Sequence, residues 1–126
     1  MSNHPIVHIE IPGTDTKAAA KFYEDAFGWN IQTDPSFEGY PMFQAEGGPG
    51  GGFVKPGEAM GVSYKVGEVL IYIDTDDIEA SLAKVQSLGG KVVLPKTDIP
   101  QVGWFAVFAD PTGNKIGLFT TLPHKH

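Results

Sequence analysis

The sequence predicts an α+β fold: two tandem β-α-β-β-β modules forming a curved mixed sheet around a cup, with the helices on the outside. Two observations predict it. Shifting the chain by 62 residues lays one β-branched segment, Val7-His8-Ile9-Glu10-Ile11, on another, Val69-Leu70-Ile71-Tyr72-Ile73. Each segment then runs into an acidic, threonine-bearing stretch and an amphipathic helix of similar length. A repeat of this period decides the architecture before any single element is read.

Module one (about 5–56) opens on the strand at Val7–Ile11, whose branched residues suit a pleated surface. Gly13-Thr14-Asp15-Thr16 follows. Side-chain oxygens of this kind accept the unpaired N–H groups that begin a helix. Ala19, Phe22, Tyr23, Ala26 and Phe27 recur at spacings of three and four, giving one apolar stripe, and Gly28 closes the helix. Three strands are expected next: Trp29–Thr33, Tyr40–Ala45 and a short piece near Gly52–Lys55. The run Gly47-Gly48-Pro49-Gly50-Gly51-Gly52 reads as a flexible hairpin turn. It lacks the Lys-Ser/Thr pair of a phosphate loop and opens no helix.

Module two (about 68–122) repeats the plan. Asp74-Thr75-Asp76-Asp77 caps a helix whose stripe is Ile78, Leu82, Val85 and Leu88, and Gly89-Gly90 ends it. The strands expected are Lys91–Leu94, Trp104–Ala109 and Lys115–Thr121, the last two joined by the turn Asp110-Pro111-Thr112-Gly113-Asn114. Between the modules, the connector at 57–67 shows little periodicity. One module alone buries too little surface, so the two are expected to pair in a single domain spanning 1–126.

Composition narrows the function. No apolar run approaches the roughly 20 residues of a membrane span. Met1–Ile11 has no basic segment followed by a long apolar one, so no signal peptide is expected. The lack of cysteine excludes disulfides, thiolate nucleophiles and Cys-ligated zinc, and fits a cytoplasmic protein. A net charge of −6, with nine scattered lysines as the only Lys or Arg, argues against a nucleic-acid partner. Without arginine there is no planar fork for a phosphate or carboxylate.

The run Val7-His8-Ile9-Glu10-Ile11-Pro12, continuing to Phe22-Tyr23-Glu24-Asp25-Ala26-Phe27-Gly28-Trp29, resembles the opening of the vicinal oxygen chelate superfamily. That group holds glyoxalase I, the bleomycin- and fosfomycin-resistance proteins and the extradiol dioxygenases. Asp98-Ile99-Pro100-Gln101-Val102-Gly103-Trp104-Phe105-Ala106-Val107, with Ala109-Asp110-Pro111-Thr112-Gly113-Asn114, resembles its branch of predicted enzymes related to lactoylglutathione lyase. The likeness covers roughly residues 5 to 122. It implies a small-molecule ligand in the cup and a homodimer.

In the metal-dependent members, each module supplies a ligand from its first strand and one from its last. The matching positions here are His8, Gly52 or Phe53, Leu70 and Gly117. Only His8 can ligate, and a catalytic zinc site needs about three protein ligands. No metal cofactor is therefore expected. Glyoxalase I chemistry and the dioxygenase triad both lose their basis with it. Another route to a metal would bring His124 and His126 from the tail toward His8 and Glu10, although termini are seldom ordered.

Strand alternation groups the cup residues. If Val7, Ile9 and Ile11 pack on the helices, His8 and Glu10 point inward, with Leu70, Tyr72 and Asp74 from the second copy. His8 and Glu10 are the candidate catalytic pair, a base held by a carboxylate and competent near pH 7. Tyr40, Met42, Tyr72, Asp74, Trp104, Phe108 and Phe119 are the candidate ligand-binding residues, apolar walls with a few polar groups. Blander roles stand beside these: His8 as a structural histidine, Asp74 as part of the helix cap, Tyr40 and Trp104 as core filling. Four functions follow. The chain is a metal-free acid–base enzyme of glyoxalase type, a metal-dependent glyoxalase-type lyase with non-standard ligands, a drug-sequestering binding protein without catalysis, or a regulatory subunit with a vestigial cup.

Overall fold

The computed structural model describes residues 3–35, 39–59 and 62–122, in two compact units. One is built on Val7–Ala59 with Ser63–Ile71, the other on Tyr72 onward with the segment before Val7. No helix among the described residues is long and apolar enough to cross a membrane.

In the first unit, β1 (Ile6–Pro12) leads into α1 (Thr16–Phe27). Asp15 caps the helix, its carboxylate accepting the Ala18 N–H at 3.0 Å. Gly28, at φ 72°, turns the chain out in the left-handed region. β2 (Asn30–Gln32), β3 (Met42–Gln44) and β4 (Gly50–Val54) follow. They lie in the order β2-β3-β4-β1, with β1 and β4 parallel and the other pairs antiparallel.

Two expectations change here. The buried stripe of α1 runs through Thr16 and Ala20, with Tyr23 packed beside them, whereas Phe22 and Phe27 are 60% and 66% exposed. The glycine run is also more than a turn, since Gly50, Gly51 and Gly52 are strand residues. A Cβ at each would meet a large side chain: Gln44 over Gly50, Phe43 over Gly51, Tyr40 over Gly52. Glycine in a strand marks such close approach. The core below is aromatic, with Phe53 fully buried and Trp29 stacked on Phe43 at 4.4 Å between centroids.

The connector carries β5 (Gly57–Ala59) and β6 (Val62–Tyr64), paired as a two-stranded ribbon where no strand was expected.

The second unit repeats the first. β7 (Leu70–Asp74) precedes α2 (Ile78–Ser87), capped by Asp77, whose carboxylate accepts the Ala80 N–H at 3.0 Å. β8 (Lys91–Ile99), β9 (Gly103–Ala109) and β10 (Lys115–Thr121) follow in the order β7-β10-β9-β8, with β7 and β10 parallel. β8 runs five residues past its expected end at Leu94 and shifts register twice against β9. The Asp110 turn is as expected. One carboxylate oxygen accepts both the Asn114 and Thr112 N–H groups, and the Asn114 N–H with the Thr112 hydroxyl and the Asn114 side-chain amide hold Asp110 down at about 2.

The core of this unit is Ile78, Leu82, Ala106 and Leu118. Trp104 and Phe108 pack against it, on the α2 face of the sheet.

Candidate functional site

The first strand presents His8 and Glu10 on the face away from α1, because Ile9 and Ile11 are taken up by the core with Ala20, Phe43 and Phe53. Tyr40 enters just before β3 and lies over Gly52, which is the partner of Glu10 in the β1–β4 register. Its hydroxyl donates to Glu10 Oε2 at 2.8 Å and sits 2.8 Å from His8 Nε2. Tyr40 therefore bridges the two candidate catalytic residues. Gly39, at φ 78°, makes the turn that delivers the ring, and its carbonyl accepts a long hydrogen bond from the Thr16 hydroxyl at 3.4 Å.

The environment is unusual for these groups. Glu10 is only 8% exposed, and a carboxylate so buried must be hydrogen-bonded. Burial holds the Tyr40 phenol far above its ordinary range, with the Glu10 charge, the bond to Glu10 and nearby Tyr64 adding to the effect. Burial holds His8 below the ordinary imidazole value of 6.5, against the opposing pull of Glu10. Burial thus favours the neutral imidazole. Met42 lies beside this group, opposite Gly52 in the β3–β4 register.

The other expected ligand-binding residues gather differently. Tyr72, Asp74 and Phe119 share the face of module two away from α2: Tyr72 is opposite Gly117, and Asp74 opposite Phe119. The Tyr72 ring lies over Gly117 so closely that a Cβ there would collide with it. Backbone groups of Asp74 are engaged: its N–H donates to the Pro5 carbonyl and its carbonyl bonds His4 Nδ1 at 3.0 Å.

Trp104 and Phe108 are corrections, because both point to α2 rather than to the opposite face. The residues of β9 on the expected face are Phe105 and Val107, with Phe105 6.4 Å from the Tyr72 ring. The cause is an odd insertion. The two modules are 62 residues apart at Glu10/Tyr72 but 65 apart at Tyr40/Phe105 and Gly52/Gly117. A shift of three reverses the side a strand residue faces. Phe105 was missed for that reason. The tyrosine-over-glycine contacts had one readable signal, a glycine at a last-strand position in each copy.

The positions that the resemblance matches to metal ligands hold His8, Gly52, Leu70 and Gly117. Gly52 and Gly117 offer no side chain, and tyrosine rings fill the space beside them. Leu70 is buried and apolar. Among the described residues, no three His, Asp or Glu side chains gather closely enough to hold an ion. His124 and His126 lie outside the described residues.

Comparison with known proteins agrees with this architecture. The family model described as the glyoxalase/bleomycin resistance protein/dioxygenase superfamily matches residues 5–118. A glyoxylase-like domain-containing protein of Didymella fabae is 36% identical over 118 residues, covering 89% of this chain and 90% of that protein. The anthracycline biosynthesis protein DnrV of Streptomyces peucetius is 30% identical over 125 residues, covering 82% of this chain. The match spans only 42% of that longer relative. In structure, a glyoxalase/bleomycin resistance protein/dioxygenase superfamily member from Vibrio splendidus 12B01 aligns with a TM-score of 0.65. That alignment covers 94% of this chain and 99% of the other at 16% identity. With the two β-α-β-β-β modules in hand, the chain belongs to the glyoxalase/bleomycin resistance protein/dioxygenase superfamily.

Proposed function

We propose that the protein binds a small organic ligand on the His8–Glu10–Tyr40 face of module one and moves a proton on it without a divalent metal. The observation that carries this reading is the Tyr40 hydroxyl, which bonds both His8 and a buried Glu10. A neutral imidazole coupled to a carboxylate is a general base suited to neutral pH. A carbonyl or hydroxy compound with an acidic proton is the matching substrate class. The donor set at the superfamily's metal positions supports the metal-free part, since two positions are glycines beneath tyrosine rings.

Two measurements test it. Calorimetric titration of the purified protein with nickel, zinc, manganese and iron(II) is expected to give no tight stoichiometric binding, and such binding overturns the metal-free reading. His8→Ala is expected to abolish turnover of a substrate found by screening while leaving most of the ligand affinity.

Sequestration without catalysis is the second reading. It is supported by the glycines at two of the positions matched to metal ligands, and the resemblance to a Streptomyces protein named for anthracycline biosynthesis makes anthracyclines the first ligands to screen. Under this reading His8→Ala changes affinity only. The homodimer implied by the family goes with either reading and is checked by analytical ultracentrifugation.

A further inference from the structure

The hydrogen-bond valences of the site assign its protons. A phenol carries one hydroxyl hydrogen, and Tyr40 commits that hydrogen to Glu10 Oε2 at 2.8 Å. The 2.8 Å contact between Tyr40 and His8 Nε2 then needs its hydrogen from the imidazole. We infer that Tyr40 is a positioning residue that fixes His8 as the Nε2–H tautomer, making Nδ1 the basic nitrogen of the site and Glu10 the final acceptor of its protons. This rests on the proton-transfer reading above and deepens it.

The consequence is a directed chain, His8 Nε2–H to Tyr40 Oη–H to Glu10. When Nδ1 takes a proton from a ligand, Nε2–H passes to Tyr40 Oη while the phenol's own hydrogen passes to Glu10 Oε2. The products are a neutral imidazole protonated on Nδ1, a neutral phenol and a neutral carboxylic acid. One proton has moved from ligand to Glu10, and no charge is left on the ring. The reverse sequence returns a proton to the ligand, as an isomerisation or epimerisation requires. The ring packing serves the same end. A Cβ at Gly52 would collide with the phenol, so the glycine there is compatible with both 2.8 Å contacts.

The test needs no substrate. Long-range proton–nitrogen correlation on the nitrogen-15-labelled full chain distinguishes the two neutral histidine tautomers, and His8→Gln assigns the His8 signals among the four histidines. The expected wild-type spectrum at neutral pH shows His8 protonated on Nε2 alone. In Tyr40→Phe, which keeps the ring over Gly52, that preference is expected to collapse to a mixture of tautomers. A wild-type His8 protonated on Nδ1 overturns the inference, as does an Nε2–H preference that Tyr40→Phe leaves intact. Should Tyr40→Phe fail to fold, the wild-type tautomer alone decides. Failure of the proposed function looks different: the tautomer is as expected, yet no ligand is turned over and His8→Ala alters affinity only.

Discussion

The two modules put the same backbone to opposite uses. At equivalent points, module one carries His8, Glu10, Tyr40 and Gly52, and module two carries Leu70, Tyr72, Phe105 and Gly117. In each, an aromatic ring lies over the last-strand glycine. In module one the ring comes from outside the first strand, so Glu10 stays available to accept the Tyr40 hydroxyl. In module two the first-strand residue is itself the ring, next to Phe105. One half presents the hydrogen-bonded group His8–Tyr40–Glu10, and the other sets the Tyr72 ring beside Phe105. The two modules share a frame and differ at three of these positions, His8/Leu70, Glu10/Tyr72 and Tyr40/Phe105.

The comparison can be broken at several points. The largest effect on stability is expected where a Cβ is forced under a ring. Gly52→Ala and Gly117→Ala should each cost about 1–3 kcal/mol in denaturant titration. Pairing Gly52→Ala with Tyr40→Ala should then cost less than the sum of the two single changes. Additive costs would mean that ring and glycine are not coupled. Tyr40→Phe should have an effect of the same size, about 1.5–3 kcal/mol, because it removes a charge-assisted hydrogen bond from a buried carboxylate. Phe105→Tyr, its module-two counterpart in reverse, should give the apolar half no measurable turnover.

The caps should show no difference between the halves. Asp15→Ala and Asp77→Ala are expected to lose about 1 kcal/mol each, as both carboxylates make the same 3.0 Å bond. The pH effect is the smallest. His8 is held below its unfolded value of 6.5, so below about pH 6.5 the unfolded chain binds more protons than the native one. Stability should fall as pH drops through that value toward the lower native one. His8→Gln should flatten this part of the profile, measured by thermal melts across pH.

Much of the frame was legible in the sequence because it is local. Asp15 and Asp77 cap their helices where the repeat put them, Gly28 ends α1, and Asp110 organises its turn. Such features depend on residues within one turn of each other. The face of β1 was legible too, since Ile9 and Ile11 leave no other orientation for His8 and Glu10. The face of β9 was not. Trp104, Ala106 and Phe108 on one side and Phe105 and Val107 on the other are all apolar, so alternation gives no sign, and three extra residues reversed the parity. The role of Tyr40 was also hidden. It lies 30 residues from Glu10, and only tertiary packing brings its hydroxyl between the two first-strand side chains.

The tyrosine-over-glycine contact also constrains the order in which this sequence can change. A longer residue at Gly52 or Gly117 can enter only if the tyrosine ring shifts. A side chain gained at either point is cheaper after Tyr40 or Tyr72 has been shortened than before. Each glycine–tyrosine pair is thus coupled in substitution: a single change at the glycine meets a steric cost that a prior change at the tyrosine removes.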